Sequence, residues 1–236
     1  GYLWAAFLQL RYLHFYRRQV VDQMYRIGIG SIPLIIGLSL FTGMATSIQT
    51  AYQISAFVPK YIVGSIVLQS ELLELAPTLM ALVLAGRVGA GIASEIGTMK
   101  VSEQVDALES MGVDPIGYLV MPRILAGVTM FPIVIIFAIV IAVSGGYYVA
   151  NSMMGVTTAD FVRGMKEAFR FKDVWVGLIK STIYGGIITL IGSYMGMETE
   201  QGAKGVGIAA TATVVTSSSF ILIMDYVLTR SLLKFY

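Results

Sequence analysis

Residues 95–115 read EIGTMKVSEQVDALESMGVDP, a run with five acidic residues and one lysine inside a 236-residue chain that is 56% hydrophobic. Within it Val101, Val105, Leu108 and Met111 recur at steps of four, three and three and form one apolar stripe. Lys100, Glu103, Gln104, Asp106 and Glu109 fall on other faces. The spacing predicts an amphipathic helix over 96–112. Gly112 supplies a permissive end and Asp114-Pro115 disfavours continuation, so the helix is short and, with its charges, cannot cross a membrane.

What flanks this segment is of the opposite character. On its amino side Tyr61 to Gly86 is apolar except for Glu71 and Glu74, with Arg87 marking the end. On its carboxyl side Pro122 and Arg123 open a run that reaches Ala150, with Pro132 as the expected kink. Further out lie the uncharged run from Ser31 to Ser55, the run from Val174 to Met197 with Lys180 inside it, and the run from Val206 to Thr229. Asp225 stands near the end of the last, and Arg230 and Lys234 anchor it. A bilayer core of about 30 Å takes roughly 20 apolar residues per helix. No open sheet can leave its backbone groups unpaired in lipid. The expectation is therefore an all-α integral membrane protein, a single transmembrane domain over 1–236 with five transmembrane helices. The short helix lies between the second and third of them, at the cytoplasmic surface.

Composition agrees. Mean hydropathy is +0.78 and only 13% of residues are charged, which leaves little room for a soluble domain. The net charge of +2 is scattered, which gives no reason to expect a nucleic-acid partner. With no cysteine there is no disulfide, thiolate chemistry or cysteine metal site. Residues 1–30 place Arg11, Arg17, Arg18 and Arg26 among aromatic residues and read as a helix along the membrane surface, without a signal-peptide pattern. The missing initial Met suggests a trimmed chain. Basic residues divide almost evenly between the two sides. Orientation therefore rests on the four arginines before the first span, which put the amino end in the cytoplasm.

Enzyme chemistry has little support. His14 is the sole histidine, and neither H-E-x-x-H nor G-x-S-x-G occurs. GxxxxGK[ST] is absent too, so this chain has no phosphate-cradling loop of that kind and no cofactor is expected in it. GAKGVG at 202–207 follows no strand and leads into a spanning helix, a setting for helix packing rather than nucleotide binding.

Charges inside the runs carry the second signal. Glu74 precedes Arg87 by 13 residues, which at 1.5 Å per residue puts it about 20 Å from that end. Lys180 follows Asp173 by seven residues. A charge at such depth costs about 2.5–3.5 kcal/mol on insertion scales, so both should face the bundle interior, water or each other. Either they form an ion pair that fixes helix register, or they line a lipid cavity with a phosphate headgroup as a partner for Lys180. Glu71, one turn from Glu74, is expected on the same polar face or at the headgroups. Gln49, Tyr52 and Gln53, with Ile54 and Phe57, are expected at the outer mouth of such a cavity.

Three stretches resemble the MlaE/YrbE permease family: ELAPTLMALVLAGR (74–87), AGRVGAGIASEIGTMKVSEQVDALESMGVDP (85–115) and GAKGVGIAATATVVTSSSFILIMDYVLT (202–229). The likeness runs over nearly the whole chain from about residue 26. It implies a homodimeric permease subunit of an ABC transporter for phospholipids or similar molecules. Two cytoplasmic ATPase subunits and an MCE-domain protein would be its partners, in a bacterial inner membrane. It further implies that the 96–112 helix is the coupling helix. Glu95, Gly97, Thr98, Met99, Lys100, Glu103, Gln104, Asp106, Leu108 and Glu109 would then meet the ATPase. Glu74 in its E-x-x-P run and Lys180 in GLIKSTIYGG are likewise implied near the lipid path. The competing reading is an ion-coupled secondary transporter with Glu74 and Lys180 as a proton relay. Five helices do not divide into inverted repeats, which speaks against it.

Overall fold

The computed structural model describes residues 16–53, 59–200 and 202–234, and among these there are helices and no strands. In chain order they are α1 (Arg17–Ile27), α2 (Ile32–Gln53), α3 (Ile62–Val101), α4 (Gln104–Ser110), α5 (Ile116–Met154), α6 (Thr158–Ala168), α7 (Phe171–Met197) and α8 (Ala203–Leu233). Five helical stretches are long and apolar enough to cross a membrane; they contain α2, α3, α5, α7 and α8. The protein is an all-α multi-pass membrane protein. The part of the expected surface helix at 1–15 lies outside the described residues, and α1 accounts for the rest.

Two boundaries differ from expectation. The second span does not stop at Gly86: α3 runs 40 residues to Val101, about 60 Å at 1.5 Å per residue. Arg87 ends nothing, because its guanidinium turns aside onto the Ser31 hydroxyl while Val88, Ile92, Ala93 and Ile96 continue a buried face. The expected single helix over 96–112 is divided, since α3 takes its first half as far as Val101. Glu103 then stands in the left-handed region (φ 60°) before α4 begins.

The chain divides into two compact units. One holds Ile32–Met80 and Pro132–Ser181. Its core gathers Val63, Val67, Ala150, Val156 and Phe161, with the Tyr147 ring edge-on to Phe161 at 5.4 Å. α6 begins with a capping exchange: the Thr157 hydroxyl accepts from the Asp160 backbone N–H at 3.1 Å and donates to its carboxylate at 2.8 Å. On its exposed side Glu167 hydrogen-bonds Arg163 at 2.8 Å and raises the pKa of that guanidinium further. α6 lies on the start of α3, where Ser65 donates to the Gly164 carbonyl at 2.7 Å. A Cβ on Gly164 would stand 1.8 Å from the Tyr61 carbonyl oxygen, so only glycine permits this crossing. Gly164→Val is expected to lower stability by about 3 kcal/mol, because the obstacle is backbone and cannot rotate away. Thermal unfolding in detergent, with proteolysis at α6, measures it.

The other unit comprises the segment ending at Ser31, Ala81–Phe131 and the chain from Thr182 onward. Here the later part of α3 packs along α7 and α8. Gly192 lies so close to α3 that a Cβ would stand 2.8 Å from the Gly89 carbonyl oxygen. Membrane helices associate through such small-residue contacts, because lipid tails are as apolar as leucine. Tyr184, fully buried, donates to the Asp225 carboxylate at 2.7 Å. At the edge of this unit the Tyr16 ring meets Tyr118 edge-on at 5.9 Å and ties α1 to the start of α5.

Candidate functional site

Pro77 lies within a π-helical stretch of α3, Glu71–Leu79. Proline has no N–H, so in this i→i+5 ladder it cannot bond the carbonyl of Leu72 five residues earlier. Beside it lies Lys180 of α7, whose ammonium donates to Leu73 O at 2.9 Å and to Glu74 Oε1 at 2.8 Å. The Lys180 side chain is 1% exposed and that of Glu74 is 43% exposed. The pair therefore has a buried cationic end and an open anionic one. The two structural readings of these charges meet here, since they pair and Glu74 also faces a space.

That space is a cavity of about 340 Å³ lined by Thr46, Gln49, Thr50 and Gln53 of α2 and by Ile66, Ser70, Glu74 and Leu75 of α3. Its volume lies within the about 300–1,000 Å³ of small-molecule sites. The cavity brings Gln49, Gln53 and Glu74 together. Lys180 is not on its wall and reaches it through Glu74. Tyr52 is 91% exposed and points elsewhere, and Ile54 and Phe57 lie outside the described residues. Glu71 parts from Glu74: it is fully buried, because wider π turns put residues three apart on different faces. Thr46, Thr50, Ser70 and Ile66 were not anticipated. Thr46, Gln49, Thr50 and Gln53 fall at i, i+3, i+4 and i+7, a polar stripe legible in an apolar helix.

Residues 95–115 form the second candidate site. α4 is only seven residues long and is fastened at both ends. At its start the Gln104 amide donates to the Ser102 hydroxyl at 2.9 Å, and Lys100 pairs with Asp106 at 3.2 Å. At its end Gly112 (φ 76°) donates to Glu109 O and Val113 to Leu108 O, the paired bonds of a Schellman stop. Val105 is fully buried and Leu108 half-buried, while Glu103, Gln104, Asp106 and Glu109 are exposed. Met111, expected in the apolar stripe, is 69% exposed because the helix has ended.

The α3 half behaves differently. Thr98 is exposed and Met99 and Lys100 are half-buried, but Gly97 is buried, with Thr199 Oγ1 2.7 Å from where its Cβ would stand. Glu95 turns inward, its Oε1 3.1 Å from Arg26 and its Oε2 3.3 Å from Arg123. It joins α1, α3 and α5. Among the described residues no group of three His, Cys, Asp or Glu side chains is placed to hold a metal ion.

Comparison with known proteins adds the following. The family model described as Permease MlaE matches residues 20–231. A probable ABC transporter permease protein from Rickettsia typhi is 39% identical over 93% of this chain and 85% of that protein. One from Synechocystis is 38% identical over 90% and 81%. The intermembrane phospholipid transport system permease protein MlaE of Haemophilus influenzae is 34% identical over 89% and 81%.

Proposed function

The chain belongs to the MlaE permease family and is the membrane-spanning permease component of an ABC transporter, and from that premise we propose that its cargo is phospholipid. The observation that carries this reading is the half-exposed Glu74, held by buried Lys180 on the wall of a cavity with polar Thr46, Gln49, Thr50 and Gln53 and apolar Ile66 and Leu75. Such a lining suits a molecule with a polar end and an apolar one. The phospholipid named for the Haemophilus influenzae relative is of this kind. A carboxylate on the wall engages ammonium or hydroxyl groups of a headgroup, and Lys180 sets its position.

In this reading the chain works as a homodimer in a bacterial inner membrane, amino end in the cytoplasm. A single set of five spans encloses little space, and large apolar side chains such as Phe137 and Val140 of α5 and Phe220 and Ile223 of α8 stay exposed for lipid or a second copy. Cytoplasmic ATPase subunits bind ATP and Mg²⁺ and seat on α4 through Glu103, Gln104, Asp106 and Glu109. An MCE-domain protein exchanges lipid on the other side. Because α4 is joined to α3 and α5 by short turns, a tilt imposed on it passes to both.

The test is transfer of fluorescent phospholipid from proteoliposomes that hold the permease with its ATPase and MCE partners. Transfer that needs ATP hydrolysis and stops without the ATPase is the expected outcome. Transfer driven by a proton gradient without ATP would replace this reading with the ion-coupled one.

A further inference from the structure

A second cavity, of about 460 Å³, lies between α1 and α3 within the unit that contains both. Gln23, Arg26 and Ile27 of α1 face it at i, i+3 and i+4, and Arg87, Gly91 and Glu95 of α3 face it at i, i+4 and i+8. Val88 and Ile92 supply an apolar wall. We propose that this cavity is a phosphate-recognition site for the headgroup of a phospholipid, with Arg26 and Arg87 as the anion-binding residues. The proposal rests on the phospholipid reading above but concerns a different cavity.

The first argument is charge. Glu95 is the carboxylate on the wall, and its two oxygens are already divided between Arg26 and Arg123. No carboxylate among the described residues lies within ion-pair distance of Arg87, so two guanidinium groups face the cavity against one shared carboxylate. Arginine presents a planar fork of donors that fits phosphate.

The second argument is construction. Arg87 donates to the Ser31 hydroxyl, and that hydroxyl donates onward to Ile27 O at 2.6 Å. Gly30 leaves room for it, since a Cβ there would stand 3.0 Å from Nη2. The turn that joins α1 to α2 is thus shaped to hold this guanidinium at the cavity. Gln23, only 8% exposed, adds a buried amide to the same wall. Gly91 has no atom within 4 Å of where its Cβ would be, so the floor is open to a ligand. The apolar wall favours an amphiphile over a fully hydrated anion.

The experiment uses the full chain in phosphatidylcholine nanodiscs doped with phosphatidylglycerol that carries a diazirine beside its headgroup. After illumination, labelled peptides are mapped by mass. Label is expected on residues 23–27 and 87–95, and Arg87→Gln should reduce it about tenfold, as for loss of a charge-assisted bond. Gly91→Leu, which keeps every charge and whose Cβ has no neighbouring atom within 4 Å, should reduce it as much by filling the cavity. Labelling that survives millimolar inorganic phosphate assigns the lipid headgroup, and labelling displaced by it assigns free phosphate as the source of the same chemistry. Equal labelling in wild type and both variants, or none on these peptides, overturns the proposal. Label on residues 66–75 reports the Glu74 cavity separately, so failure of the phospholipid reading itself would be visible as loss there.

Discussion

A chain carrying Lys180→Met is expected to lose ATP-dependent phospholipid transfer by about tenfold or more, because the half-exposed Glu74 carboxylate loses the buried ammonium that sets its position on the cavity wall. Lys180 is fully buried and holds both Glu74 and the Leu73 carbonyl. Its loss therefore frees the carboxylate and takes a side-chain donor from the Leu73 carbonyl. Assembly falls as well, so this variant alone does not separate a register-fixing pair from a cargo-handling one. The double variant Glu74→Gln with Lys180→Met does, since it removes both charges at nearly constant volume. A buried pair replaced in this way is often neutral or stabilising. Expression and thermal stability should return to near wild type. If the pair only fixes register, transfer returns with them. If Glu74 handles the headgroup, transfer stays low while the complex assembles normally, and that split between stability and turnover is the expected result.

How far the sequence carried the reading depends on the kind of signal. The five spans were legible because hydropathy over about 20 residues is set by composition alone. The pairing of Glu74 with Lys180, 106 residues apart, was anticipated as one of two outcomes because each charge is too costly to leave in lipid. The end of α3 was not legible. A lone arginine after an apolar run marks a membrane boundary in most helices, and only the placement of Ser31 and Gly30 shows that Arg87 turns sideways while the helix continues. The partners of Glu95 were not legible for a similar reason. Arg26 and Arg123 come from distant parts of the chain, and no local pattern announces a carboxylate shared by two guanidinium groups. The cavity at Glu74 was half legible. Gln49, Thr50 and Gln53 are legible as a polar end of α2, whereas Thr46 completes a face whose partner, Ser70 on α3, no periodicity within α2 could reveal. The division of the 96–112 helix escaped notice because its apolar stripe is in register across the break. Only the left-handed backbone at Glu103 separates α3 from α4.

Val105→Asp is expected to disconnect the proposed ATPase seat while leaving the spanning helices intact. α4 has seven residues, far below the about 12–15 at which an isolated helix becomes even marginal in water, so it persists only through its anchors. Val105 is the fully buried one; Leu108 is half-buried and Met111 is exposed. An aspartate there would bury a charge without a partner at a cost of several kcal/mol, and α4 can avoid that cost by leaving its seat. The left-handed Glu103 makes departure easier, since it already costs about 1 kcal/mol that the docked helix must offset. Thermal stability of the purified permease should change little, while co-purification of the ATPase and lipid-stimulated ATP hydrolysis fall about tenfold or more. Val105→Ile keeps the anchor and should behave as wild type. Full coupling by the Val105→Asp chain would mean that the ATPase grips some other surface, and the docking role given to Glu103, Gln104, Asp106 and Glu109 would have to be abandoned.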